Sequence, residues 1–77
     1  MLFKATHLVL TPHAGNSAFG VGFSPSPKKA IALAKVNADI SLDRFDAEHD
    51  ICSSIGGEVT NLFNASNGVH IHQHLDL

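Results

Sequence analysis

The residues best suited to chemistry lie near the end of the chain, where His70, His72, His74 and Asp76 alternate with Val69, Ile71, Leu75 and Leu77. In a strand this alternation puts apolar side chains on one face and the imidazoles with Asp76 on the other. Neutral imidazole is a ligand for divalent metals, and residues two apart in a strand stand about 6.5 Å apart, close enough for a pair to converge on one ion. Three in line span too far, so a metal site would use His70 with His72, or His72 with His74, plus a ligand such as His7, His49 or Asp50. Three imidazoles sharing one face would become like charges as pH falls through about 6.5, making contacts over that face acid-sensitive.

A second constellation is Lys28-Lys29, at the start of a helix-forming run that carries Asp39 near its end. Both placements oppose the helix dipole. Two lysines beside free backbone N–H groups make an anion site, for a phosphate or an acidic patch on a partner. His49 precedes Cys52 by three residues, which on one helix face would set an imidazole beside a thiol. Asp46, Glu48 and Asp50 read as solvated carboxylates. No phosphate-binding glycine loop, nucleophile elbow or paired-cysteine zinc spacing occurs, so no catalytic set is assembled and the chain is read as non-enzymatic.

The elements that must position these groups follow from local pattern. Residues 2–11 alternate as a strand, with Phe3, Ala5, His7 and Val9 on one face; Pro12 to Asn16 is a turn by composition, and residues 17–23 return as a second strand. There Phe19, Val21 and Phe23 share one face, while Gly20 and Gly22 leave bare backbone on the other for a neighbouring element or ligand, in the first place a helix packed closely over the strand. Ser26 followed by Pro27 is a helix start, and the helix is expected over residues 27–41. Its wet stripe is Lys28, Ala32, Lys35 and Asp39; the remaining arc is apolar and broader than one sheet face covers. Asp46 is a candidate cap for a second short helix ended by Gly56-Gly57, and the Asn67-Gly68 pair marks a hairpin between strands at 58–63 and 69–77. The expected fold is one α+β domain over residues 1–77, an antiparallel sheet in the order β-β-α-(α)-β-β packed against one main helix. Its expected core is Phe3, Val9, Phe19, Val21, Leu33, Val36 and Ile40.

Gly20-Val21-Gly22-Phe23-Ser24 followed by Lys28-Lys29-Ala30-Ile31-Ala32-Leu33-Ala34 resembles the last strand and lysine-led helix of a double-stranded RNA-binding domain, over about a fifth of the chain. The resemblance implies phosphate contacts from Lys28 and Lys29. Pro25-Ser26-Pro27 is inserted before the lysines, the family's first helix has no counterpart, and two further strands follow.

Composition narrows the function classes. The chain has 77 residues, of which 44% are hydrophobic and only 16% charged, against roughly 25% charged in ordinary domains. A small domain needs more polar cover than a large one, so part of its apolar surface is expected to meet another chain. A formal charge of −2 supplies no general attraction to nucleic acid or anionic lipid. A lone cysteine and an N-terminal apolar run too short to span a bilayer point to a reducing cytoplasm. These features predict a non-enzymatic protein-binding module, a regulator or inhibitor of the kind mobile elements such as phages encode. Its expected partner is a protein or a second copy in a homodimer, with Ile31 and Ala38 as contact residues, and without cofactor, nucleic acid or membrane. The alternatives are a divalent-metal protein using His70, His72 and His74, and a nucleic-acid binder using Lys28 and Lys29.

Overall fold

The computed structural model describes residues 1–12 and 16–77, with Asn16 by its backbone alone. Along the chain run β1 (Phe3–Thr11), β2 (Asn16–Ser24), α1 (Pro27–His49), β3 (Gly57–Asn64) and β4 (His70–Asp76). The strands form one antiparallel sheet in the order β2-β1-β3-β4, and the helix packs on one of its faces, which is the expected α+β class. The turn expected over Pro12 to Asn16 falls, at residues 13–15, outside the described residues.

β1 pairs on both sides because its alternation suits a central strand. Ala5, His7, Val9 and Thr11 all point under the helix and are buried. Directly opposite Ala5, His7 and Val9 stand Gly22, Gly20 and Ala18 of β2, and Leu62, Thr60 and Glu58 of β3. The layer beneath the helix is therefore built of small residues on the β2 side and larger ones on the β3 side.

That asymmetry seats the helix. A methyl group on Gly20 would overlap the backbone at Ala34 and Ala38, and one on Gly22 would overlap it at Ala30. The missing side chains let the two backbones come almost into contact. Against so close a strand the helix can turn only a stripe of small residues, and Ala30, Ala34 and Ala38, followed by Leu42, are its buried positions. The expected core is corrected accordingly. Val9 is fully buried and Phe3 packs against the Ala5 cluster, but Phe19 is 53% exposed, Leu33 46%, Val36 53% and Ile40 49%. Val21 lies with Phe19 on the face away from the helix, half-buried.

The helix is also longer than expected. No glycine or proline interrupts residues 28–50, and Leu42 extends the buried four-residue repeat, so the run passes Ser41 without a break. Asp46 caps no second helix; it sits in the last turns of α1, and residues 51–56 carry no regular secondary structure. The chain stops at Asp50, which takes the left-handed conformation (φ 51°, ψ 49°), while the amides of Asp50 and Ile51 bond back to the carbonyls of Ala47 and Asp46 at 3.4 and 3.0 Å. This is the reverse turn that closes helix C-termini, made here without glycine. At the other end the expected cap is in place: Ser26 Oγ accepts from the Lys29 amide at 3.5 Å, with Pro27 opening the helix.

Candidate functional site

Seated mainly over β2 and β1, the helix reaches only the near side of β3, where Leu62 joins its core, and it makes no close approach to β4. A groove of about 240 Å³ runs there, lined by Ile31 and Lys35 of the helix, Thr60 and Leu62 of β3, and His72 and His74 of β4. Beneath its edge lies a polar chain. His7, fully buried, has Nδ1 2.8 Å from Thr60 Oγ1 and Nε2 2.9 Å from Glu58 Oε1. The carboxylate accepts from Nε2–H, which leaves Nδ1 to accept from the Thr60 hydroxyl. Every buried polar side chain among the described residues has a partner, so this chain is satisfied as it stands and holds β1 to β3 from within. Glu58 also faces Asp76 across β3 and β4.

The β3–β4 turn follows the Asn-Gly expectation: Gly68 has φ 74°, and the side chains of Asn64 and Asn67 accept from the amides of Ser66 and Val69. A bulge then breaks the register of β4. His72 stands opposite Leu62 and His70 opposite Phe63, so Ile71 is the extra residue. The shift sends His70 to the face away from the helix, where Nε2 donates to Asn61 Oδ1 at 2.9 Å and the ring lies 5.2 Å from that of Phe63. Hence His70, His72 and His74 do not share a face: His72 and His74 enter the groove and His70 does not. The expected three-imidazole array is reduced to a pair, and the expectation of acid repulsion among three loses its geometry.

The remaining candidates separate. His7 is committed to Thr60 and Glu58, and His49 donates from Nδ1 to the Phe45 carbonyl at 2.9 Å while stacking on the Phe45 ring at 3.9 Å. Neither reaches β4 as a further ligand. Cys52 is exposed and lies beyond the helix end, so the expected helical pairing with His49 is not formed. Asp46 is a structural anchor: its two oxygens accept from the Ser53 amide at 3.0 Å and hydroxyl at 2.6 Å. The Ser53 hydroxyl first, then its amide, hold the Asp46 carboxyl below its ordinary range, with a further lowering from the nearby His49 charge. Lys28 and Lys29 are exposed at the helix start, but the Lys29 amide is taken by Ser26 Oγ and the Ala30 amide by the Ser26 carbonyl. Fewer free N–H groups are left there for an anion than the sequence implied. Of the two expected contact residues, Ile31 lines the groove, whereas Ala38 is fully buried against Val9 and Ala18 within the chain, which corrects its assignment to a partner surface.

A broad apolar surface lies on the opposite side of the sheet. There one row across the strands reads Phe19, Leu8, Val59, Leu75 and another reads Phe23, Lys4, Phe63, His70. No helix covers this face, and Phe19, Phe23 and Leu75 are each 53% exposed. The accessible surface, 4848 Å² for a chain of 8.2 kDa, exceeds the about 4,500 Å² expected of a folded monomer of this mass. Sequence reasoning anticipated a surplus of apolar surface on the helix arc and the last strand, and Leu33, Val36 and Ile40 of the helix and Ile71 and Leu75 of β4 are indeed exposed. It missed that Phe19 and Phe23 on the sheet's outer face belong to that surplus, although the strict opposition of Phe19, Val21 and Phe23 to the two glycines was the signal. Among the described residues no helix is long and apolar enough to cross a membrane. No protein-family model, curated protein or solved structure matches the chain.

Proposed function

We propose that this chain is a non-enzymatic protein-binding module whose docking surface is the sheet face that the helix leaves open. The observation that carries this reading is the pair of aromatic side chains, Phe19 and Phe23, half-exposed on that face beside Leu8 and Val59. Interfaces draw most of their energy from a few aromatic anchors in an apolar centre. Two phenylalanines four residues apart on one face of a β-strand supply such anchors at small ordering cost. Lys4, between Phe23 and Phe63 in the register, gives the surface one positive charge against which an acidic group of the partner can be placed. By covering a partner's surface the module would act as a regulator or inhibitor.

The test compares the native chain with Phe19→Ser/Phe23→Ser. Both side chains point away from the core, so the variant should keep the native far-ultraviolet spectrum and thermal transition. A protein captured by the native chain and lost by the folded variant supports the reading. Equal capture by both, or no capture by the native chain in its own cell, overturns it.

A further inference from the structure

We infer that β4 pairs with the β4 of a second copy about a two-fold axis at Gln73, and that His72 and His74 from both copies form a divalent-metal site that one chain cannot complete. β4 is the last strand of the sheet, and all seven of its residues are exposed. Its outer backbone N–H and C=O groups are a template for another strand. The two ends of the sheet are not equivalent, because at β2 the helix reaches over and Asn37 Nδ2 donates to the Val21 carbonyl at 2.6 Å. β4 has no such cover from the helix.

The sequence of β4 is complementary to itself in this register. With Gln73 on the axis, His72 stands opposite His74 of the second copy, and Ile71 opposite its Leu75. Opposed residues in an antiparallel pair share a face. Leu75 already continues the outer apolar row from Val59, and Ile71 and Leu75 are 48% and 53% exposed, so their contact would extend that row across the junction. On the helix side the axis brings the two grooves together into one trench, with both helices as its walls.

The chemistry of that trench follows from the bulge. By removing His70 it leaves one chain with an imidazole pair, and among the described residues no group of three metal-binding side chains exists. A tetrahedral ion such as zinc takes four ligands, and imidazole suits zinc, copper and nickel. In the paired strands directly opposed Cβ atoms are about 5 Å apart, and residues along each strand about 6.5 Å apart. Four imidazole nitrogens then surround one small space. Asp76, on the same face, supplies negative charge near it, and Lys35 is the cation on the wall.

Zinc is the probe, and sedimentation equilibrium of the 77-residue chain is the readout. Zinc should tighten dimer formation by on the order of tenfold or more through mass action, reversibly with a chelator. His72→Ala and His74→Ala should each abolish the response while keeping the native circular dichroism, because both side chains are exposed; His70→Ala should leave it intact. In a Cys52→Ser background, Gln73→Cys should form an intermolecular disulfide on mild oxidation in the presence of zinc. The inference is overturned if zinc leaves the mass distribution unchanged, if the response survives in His72→Ala, if His70→Ala also removes it, or if Gln73→Cys does not cross-link. Phe19 and Phe23 lie away from this edge, so the outcome is independent of the docking test above.

Discussion

Thr60 Oγ1 and His7 Nδ1 meet at 2.8 Å, at directly opposed positions of β1 and β3. His7 and Val9 are the largest side chains buried completely, so an imidazole occupies a place a hydrocarbon would ordinarily fill. Removing the hydroxyl strands a buried nitrogen. Thr60→Val should therefore cost about 1–3 kcal/mol despite its nearly identical shape, whereas Thr60→Ser should cost less. Urea denaturation of the three proteins decides it, and equal midpoints for native and Thr60→Val would show that the contact carries no stability.

The glycines of β2 should be intolerant of the smallest change. Gly22→Ala forces a methyl into the Ala30 backbone, where no flexible side chain can move aside. A loss of about 3 kcal/mol or failure to fold is expected. Gly68→Ala meets open space and suffers only from its φ of 74°, so it should lose about 1 kcal/mol. Thermal melts of the two variants should differ accordingly.

Leu33 is 46% exposed. Its truncation to alanine should cost under about 1 kcal/mol, in place of the 2–5 kcal/mol of a core leucine. A larger loss by denaturant titration would mean that the helix presents a different face to the sheet.

Asp50 holds a left-handed conformation at the end of α1 without being glycine. Asp50→Gly removes that conflict while keeping the two closing hydrogen bonds. A gain of about 1 kcal/mol is expected, visible as a higher melting temperature.

The anchor between Asp46 and Ser53 should fail in acid. The folded carboxyl titrates below its ordinary value of 3.8, so its contribution to stability is fully present above that value and disappears as pH falls through the lower folded value. The stability difference between the native chain and Asp46→Ala should shrink as pH falls below about 4. A difference that stays constant to pH 2 would remove Asp46 from the acid response.

Much of this architecture was legible in the residues themselves. The strands at residues 3–11 and 16–24, the Ser26-Pro27 helix start and the Asn67-Gly68 hairpin are local events, set by alternation, a capping hydroxyl and a residue free to take positive φ. The opposition of Gly20 and Gly22 to Phe19, Val21 and Phe23 was visible too, as was the close approach it permits. That a helix would lie on the glycine face followed from this pattern, but which helix residues it would bury there was settled only in three dimensions. Hydrophobicity alone favours Phe19, Leu33 and Ile40 in the core, but the backbone contact admits only alanine, and the bulky side chains are turned outward. Local period likewise put His70, His72 and His74 in one line. The one-residue bulge at Ile71 depends on how β4 meets β3, and because side chains in a strand alternate, that single extra residue sends one imidazole to the opposite face. His7 beside Thr60 and Glu58 joins positions more than fifty residues apart in the chain; no local period carries that information, and only the pairing of the first strand with the third brings them together.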